Sequence, residues 1–317
     1  YIPEDMPSLE FLTEGVRVPS SSQMSIPFRA VYMCGVKVKV LRILEGNIGM
    51  FLQENNLDGS YELARAARPV AYKTIWLDEL GDDMSQMRTY AIDLKQIIEP
   101  EPGAIYRVEL STHYSLTAYP CDGYVQRPKS DIEAQDALDF KEMLSDFDNG
   151  SYYYYSDYYW YSSDSKRPCT YGYYDRLTSF RNVLATDFGL IAKGGNSDEM
   201  TVLVHNILTT EPEQGVEVML YNYQNQLLGK ATSDAQGLAR IPYDKGRPYY
   251  VKAVRGNQFS YVRVDRGSAL NYSSFDITGE VVQKGIKGFI YGDRGVWRPG
   301  DVLYLSFMLN DRVGNLP

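Results

Sequence analysis

The chain is 317 residues long, 44% hydrophobic and 23% charged, with a formal net charge of −9. That length holds two or three domains, and the acidic balance argues against a phosphate-backbone partner such as DNA or RNA. No run of about eighteen apolar residues is present to cross a membrane as a helix, and the 3 cysteines are too few for a disulfide scaffold or a four-ligand zinc site.

Residues 1–120 read as one β-domain. Residues 7–12, 15–19 and 28–33 are short strand candidates. Val36, Val38 and Val40 then alternate with Lys37 and Lys39, the pattern of a half-buried strand with its lysines toward water. The apolar set passes to Leu41 and Ile43 around Arg42, which predicts a β-bulge or a switch between sheets. Residues 47–53 suit a short helix, and 70–77 and 87–94 suit two more strands. After a turn at Pro102-Gly103, Ala104, Tyr106, Val108 and Leu110 alternate with Ile105, Arg107 and Glu109. Short strands separated by turn signals describe a β-sandwich.

Residues 121–182 break this pattern. Ser130-Asp131-Ile132-Glu133 has the form of a capping box, and Ile132, Leu138, Phe140 and Leu144 follow at roughly helical spacing. These predict a helix over about 131–145. Asp146 and Asp148 invite a calcium reading, but the glycine comes one position too early for an EF-hand and no bidentate Glu follows. Next, 7 of the 10 residues from Tyr152 to Tyr161 are tyrosine. One reading is a crossover that packs its rings on neighbouring sandwiches. The other is a recognition surface in which Tyr152, Tyr155, Tyr158 and Trp160 contact a protein or a glycan, because tyrosine offers rigid area with a polar tip. Cys121 and Cys169 bracket this insertion and are the candidate disulfide, with free thiols in a reducing compartment as the alternative. Cys34 reads as a small buried apolar residue.

Residues 183–280 form a second β-domain. Met200, Val202 and Val204 alternate with Thr201, Leu203 and His205, and residues 215–220 run through a Gln224-Asn225-Gln226 turn to Leu227-Leu228. Asp234-Ala235-Gln236-Gly237 is a turn signal. Residues 249–254 and 259–264 form a hairpin around Arg255-Gly256-Asn257-Gln258. The strand count suits a seven-stranded sandwich.

Residues 281–317 hold the most specific stretch, Tyr291-Gly292-Asp293-Arg294-Gly295-Val296-Trp297-Arg298-Pro299-Gly300-Asp301. Pro299 presets φ for a tight turn and Gly300 supplies a positive φ. Strand-like segments lie on both sides, at 286–291 and from Val302 onward. This motif resembles the opening of a macroglobulin-type domain in bacterial alpha-2-macroglobulins. Leu190-Ile191-Ala192-Lys193, Gly215-Val216-Glu217-Val218, Asp234-Ala235-Gln236-Gly237 and Ala253-Val254-Arg255 are similar to the macroglobulin domain that precedes it in that family. Val18-Pro19, residues 28–32, 36–43 and 47–52 resemble a further macroglobulin domain. The tyrosine-rich insertion departs from the family pattern.

The resemblance implies an all-β chain of tandem macroglobulin-type antiparallel β-sandwiches with one short helical, Tyr-rich insertion. It divides as 1–120, 121–182, 183–280, and a further domain opening at 281–317 that the chain reads as cutting short. Asp293, Arg294, Gly295, Trp297, Arg298, Pro299 and Gly300 are then structural residues of the family motif.

No constellation for catalysis is visible. His113 and His205 both fall in strand-like patterns, and no Gly-x-Ser-x-Gly elbow or phosphate loop occurs. Asp82-Asp83 is an acidic pair in a loop with no partner in view. The family's thioester requires Cys-x-Glu-Gln, and none of Cys34, Cys121 and Cys169 opens that motif. The expectations are therefore no catalytic residue, no cofactor and no metal.

The implied function is structural. The chain would be framework for an inhibitor that entraps endopeptidases after they cut a bait segment, with bait and any thioester downstream. Its partners would be target endopeptidases and neighbouring macroglobulin domains, in the periplasm or cell envelope, with a lipid anchor outside the chain. The alternative is a cell-surface module that binds glycan or protein through the Tyr-rich stretch.

Overall fold

The computed structural model describes residues 6–13, 15–20, 24–80, 83–151, 166–194 and 198–265, and the backbone of two further strands. It divides into two compact units, Tyr1–Ser268 and Ala269–Pro317.

The first unit contains two β-sandwiches. In chain order the first has β1 (Ser8–Phe11), β2 (Arg17–Val18), β3 (Ser25–Val31), β4 (Gly35–Ile43), β5 (Ala67–Trp76), β6 (Arg88–Asp93), β7 (Ile105–Ser111) and β8 (Thr178–Ala185). One sheet runs β1-β3-β6 and the other β2-β8-β7-β4-β5. Pairing is antiparallel except for the short β2, which lies parallel to β8.

Alternation in β4 builds the core between these sheets. Val36, Val38 and Val40 are fully buried with Ile26 and Phe28 of β3 and Tyr106 and Val108 of β7. Each such valine contributes roughly 1.5–3 kcal/mol of hydrophobic burial. The opposite face of β4 shows that its alternation never breaks. Lys37, Lys39, Leu41 and Ile43 pair in turn with Ser111, Glu109, Arg107 and Ile105 of β7. Only the cover changes. Lys37 meets a helix, whereas Leu41 and Ile43 enter a second apolar cluster. The bulge lies in the pairing with β5, whose register shifts between Val40 and Leu41 and leaves Val70 as the extra residue.

Two short helices follow β4, α1 (Ile48–Glu54) and α2 (Leu63–Ala66); within the insertion lie a longer one, α3 (Lys129–Asp148), and the short α4 (Tyr171–Tyr174). The expected core of α3 is only partly right. Ile132 is buried, but Leu138 is 61% exposed. The stripe that packs is Ile132, Asp136, Met143 and Phe147, so a carboxylate occupies a buried position. Asp136 is satisfied there by Lys37 Nζ at 2.9 Å and Thr74 Oγ1 at 2.6 Å. The capping box is not used. The helix begins at Lys129, whose ammonium pairs with Asp78 and Glu79 on the first sandwich, and Glu133 instead accepts from Trp76 Nε1 at 2.9 Å. Asp146 and Asp148 belong to the last turn of α3 rather than a calcium loop, and Asp148 pairs with Arg68.

Strand β8 corrects the expected boundaries. The sequence pattern puts residues 178–182 in the insertion and 183–185 in the second domain. The whole strand pairs with β7 from Ile105↔Leu184 to Ser111↔Thr178 and buries Val183 and Leu184. The first sandwich therefore closes only after the insertion.

The second sandwich comprises β9 (Phe188–Lys193), β10 (Glu199–Asn206), β11 (Glu217–Asn222), β12 (Leu227–Thr232), β13 (Leu238–Pro242), β14 (Pro248–Arg255) and β15 (Gln258–Arg263). Its sheets run β13-β10-β9 and β12-β11-β14-β15. Val202, Val204, Val218, Leu220, Val251 and Ala253 fill the space between them, each fully buried. In the second unit, β16 (Ile286–Gly292) and β17 (Leu305–Asp311) pair antiparallel, Gly292 opposite Leu305.

Candidate functional site

The feature with most chemistry is the junction between the two sandwiches. On the sheet β12-β11-β14-β15, the face away from its own core carries Tyr250 and Lys252 on β14 and Phe259 and Tyr261 on β15. Tyr261 is fully buried and Tyr250 is 5% exposed, because they join Leu41, Ile43, Phe51, Leu52, Ile105 and Phe147 of the first sandwich and its helices in one apolar cluster.

Buried tyrosines need partners for their hydroxyls. Tyr261 donates to the Gly103 carbonyl at 3.0 Å, and Tyr249 to the Leu52 carbonyl at 2.8 Å. Burial pushes the Tyr250 and Tyr261 phenols well above the ordinary tyrosine range, so both stay neutral. Gly103 makes the approach possible. Its φ is +77°, and a Cβ there would stand 2.8 Å from Glu45 Cγ and 2.9 Å from Phe259 Cγ.

Polar contacts frame this apolar centre. Glu45 pairs with Lys252, whose ammonium lies 5.5 Å from the Phe259 ring centre. Arg17 donates to the Tyr261 carbonyl and to Ser260 Oγ. Ser20, Asp187 and Gln258 close a ring of hydrogen bonds. Ser20 donates to Asp187, the Asp187 backbone N–H donates to Gln258 Oε1 at 2.9 Å, and Gln258 Nε2 donates back to Ser20 Oγ at 2.7 Å. Arg263 reaches the Asn55 carbonyl and Asn56 Oδ1. An apolar centre with satisfied polar groups at its edge is the anatomy of a stable interface.

The base of the insertion is the second site. Cys121 and Cys169 form a disulfide with Cα atoms 5.5 Å apart. Rings gather beside it: Tyr114 lies 5.0 Å from Tyr124, 4.9 Å from Tyr171 and 5.7 Å from Tyr174. Tyr174 is fully buried, its hydroxyl 2.6 Å from Thr117 Oγ1. Burial drives the Tyr124 and Tyr174 phenols up to about 12. Cys34 is buried and free, its Sγ donating to the Thr117 carbonyl, and burial followed by Asp78 pushes its thiol up to about 11. Such a thiol is a poor nucleophile.

The remaining nominated residues scatter. Tyr152, Tyr155, Tyr158 and Trp160 lie outside the described residues, as do Asp293, Arg294, Gly295, Trp297, Arg298, Pro299 and Gly300, although the strands flanking that motif pair as above. His113 is not in a strand; it caps the turn after β7, its Nδ1 accepting from the Ser115 N–H at 3.1 Å. His205 lies on β10 with Nδ1 buried and unpartnered, against Gly189. Asp83 accepts from Ser85 in a local turn, and Asp82 lies outside the described residues.

Comparison with known proteins places these features. Residues 185–281, the second sandwich, match the bacterial alpha-2-macroglobulin MG3 domain. The chain is 28% identical over 138 residues to an alpha-2-macroglobulin of Rickettsia conorii, a match covering 41% of this chain and 7% of that protein. It is 28% identical over 143 residues to the alpha-2-macroglobulin of Escherichia coli K12, covering 45% and 8%. The native conformation of the E. coli protein superposes with a TM-score of 0.50 at 18% identity, over 99% of this chain and 16% of that one, which speaks to fold alone. The matches span only a small part of these relatives' length. These likenesses support the bacterial alpha-2-macroglobulin family: the second sandwich matches its MG3 domain, and the described sandwiches share the all-β fold of its tandem domains.

Proposed function

We propose that this chain is framework in a bacterial endopeptidase inhibitor that acts by entrapment. The observation that supports the reading is the junction centred on Tyr249, Tyr250 and Tyr261. It fixes one sandwich on the other through a buried apolar centre with satisfied hydroxyls. A framework suits that kind of contact, because rotation of packed units as rigid bodies is one way a rearrangement triggered elsewhere is passed on.

In this reading the chain performs no chemistry. The bait segment and any thioester belong to other parts of a longer protein, since no cysteine here opens Cys-x-Glu-Gln. Its partners are neighbouring macroglobulin domains and, through the longer protein, endopeptidases. The setting is the periplasm or cell envelope, with membrane attachment by a lipid outside these residues.

The test is to incubate the purified chain with trypsin and a large protein substrate. The expected result is substrate cleavage at the rate seen without the chain. Protection of the substrate by the chain alone would end the proposal.

A further inference from the structure

A pocket of about 180 Å³ opens between α3 and the end of the five-stranded sheet. Separate parts of the chain converge on it. Lys37 comes from β4, His113 and Ser115 from the turn after β7, Arg127 from the stretch behind Cys121, and Gln135 and Asp139 from α3. Ile132, 2% exposed, lies among them. The disulfide and the docking of α3 tie these parts to the sandwich.

The chemistry of the walls narrows the ligand. Lys37 is matched by Asp136 at 2.9 Å and Asp139 at 3.7 Å, so with Arg127 the local charges are two positive and two negative. A net anion or cation therefore gains little. The walls instead hold both donors and acceptors. Asp139 offers carboxylate oxygens, Gln135 an amide whose Nε2 already bonds Asp139 at 2.8 Å, and Arg127 a guanidinium. His113 Nδ1 is occupied by the Ser115 N–H, so the neutral ring carries its proton on Nε2 as a further donor. Burial, then Lys37 and Arg127, hold its pKa below the usual histidine value against the pull of Asp175, keeping it neutral. Next to His113, outside the lining itself, Tyr171 is 62% exposed, its ring 5.6 Å from that of His113 and 4.9 Å from that of Tyr114.

A ligand that donates and accepts on adjacent atoms, carries no net charge and has an apolar C–H face fits all three features. The volume is below the ~300–1,000 Å³ of pockets for drug-sized ligands, so it suits one ring. We propose that this pocket binds a single pyranose unit of a glycan, with Asp139 and Gln135 on neighbouring hydroxyls, Arg127 and His113 donating to its oxygens, and Tyr171 against its C–H face. This site is independent of protease entrapment and of the tyrosine run.

The experiment is two-dimensional NMR of the whole chain titrated with glucose, galactose, mannose and N-acetylglucosamine up to about 50 mM, a range that captures millimolar binding. At least one sugar should shift the His113 ring and the Gln135 side-chain amide saturably. Asp139→Asn should weaken that binding about tenfold, the loss of a hydrogen bond to a charged group. Tyr171→Ala, checked by an unchanged urea midpoint, should weaken it about threefold or more. Acetate and phosphate should not compete. The proposal is overturned by no saturable shift with any of the four sugars, by equal shifts with acetate or phosphate, or by binding that neither substitution alters.

Discussion

Gly103→Ala isolates the junction between the sandwiches. Gly103 has a φ of +77°, and a methyl group there meets Glu45 Cγ at 2.8 Å and Phe259 Cγ at 2.9 Å. Two costs add. Forcing an L-residue into the left-handed region costs roughly 1–2 kcal/mol. Overpacking a closed contact costs roughly another 1–3 kcal/mol, since Phe259 is held in the cluster and only Glu45 can move aside. The total is about 2–5 kcal/mol. Gly215→Ala is the matched control, because its φ is +76° and nothing lies within 4 Å of its Cβ position. It carries the backbone term alone, about 1–2 kcal/mol. Urea denaturation of both variants, followed by tyrosine and tryptophan fluorescence, reads the difference. A Gly103→Ala midpoint no lower than that of Gly215→Ala would refute the close packing of the two sandwiches at this point.

Three further outcomes are expected. Glu109 is buried, which opposes its ionisation, yet Lys39 and Arg107 outweigh that and hold its carboxyl below the ordinary 4.5. Its stabilising contribution is therefore present above the unfolded value and lost as pH falls through the lower folded one. Glu109→Gln should cost about 3–5 kcal/mol near neutral pH by leaving the fully buried Arg107 without its carboxylate, and should flatten the acid limb of the stability profile; an unchanged urea midpoint or acid limb counts against it. Cys34 should resist iodoacetamide in the folded chain at mildly alkaline pH and react once urea is added; full native labelling would contradict its burial. Replacing Cys121 and Cys169 with serine opens a closure of 48 residues and should cost up to ~4 kcal/mol by the chain-entropy argument; peptide mapping of the unreduced protein should first recover the linked pair.

The strands were legible because period-two alternation is a local signal. Val36, Val38 and Val40, or Met200, Val202 and Val204, show an inner face with no knowledge of the partner. What was not legible depends on contacts distant in sequence. Strand β8 sits just beyond an irregular insertion, so its sequence reads as the tail of that insertion. Only pairing with β7 assigns it to the first sandwich. The apparent phase flip at Leu41 came from the same blindness. Lys39 and Leu41 share a face, and the difference between them is what lies above it. Helix α3 misled for a related reason. A buried Asp136 breaks the apolar stripe, and the lysine that makes it tolerable lies 99 residues earlier. The junction was the largest omission. Tyr249, Tyr250 and Tyr261 look like ordinary strand tyrosines, and the carbonyls that receive Tyr249 and Tyr261 belong to Leu52 and Gly103. The Pro102-Gly103 turn was the one local hint, as a glycine where two backbones approach.

If these sandwiches are framework for entrapment, as proposed, the longest natural protein that contains this chain should cage trypsin when the two are mixed. Cleavage of a large protein substrate and of a short chromogenic peptide are followed side by side. Hydrolysis of the large substrate should fall while that of the peptide persists, because a caged protease keeps its active site and loses only access for bulky substrates. Equal suppression of both, or suppression of neither, would contradict it.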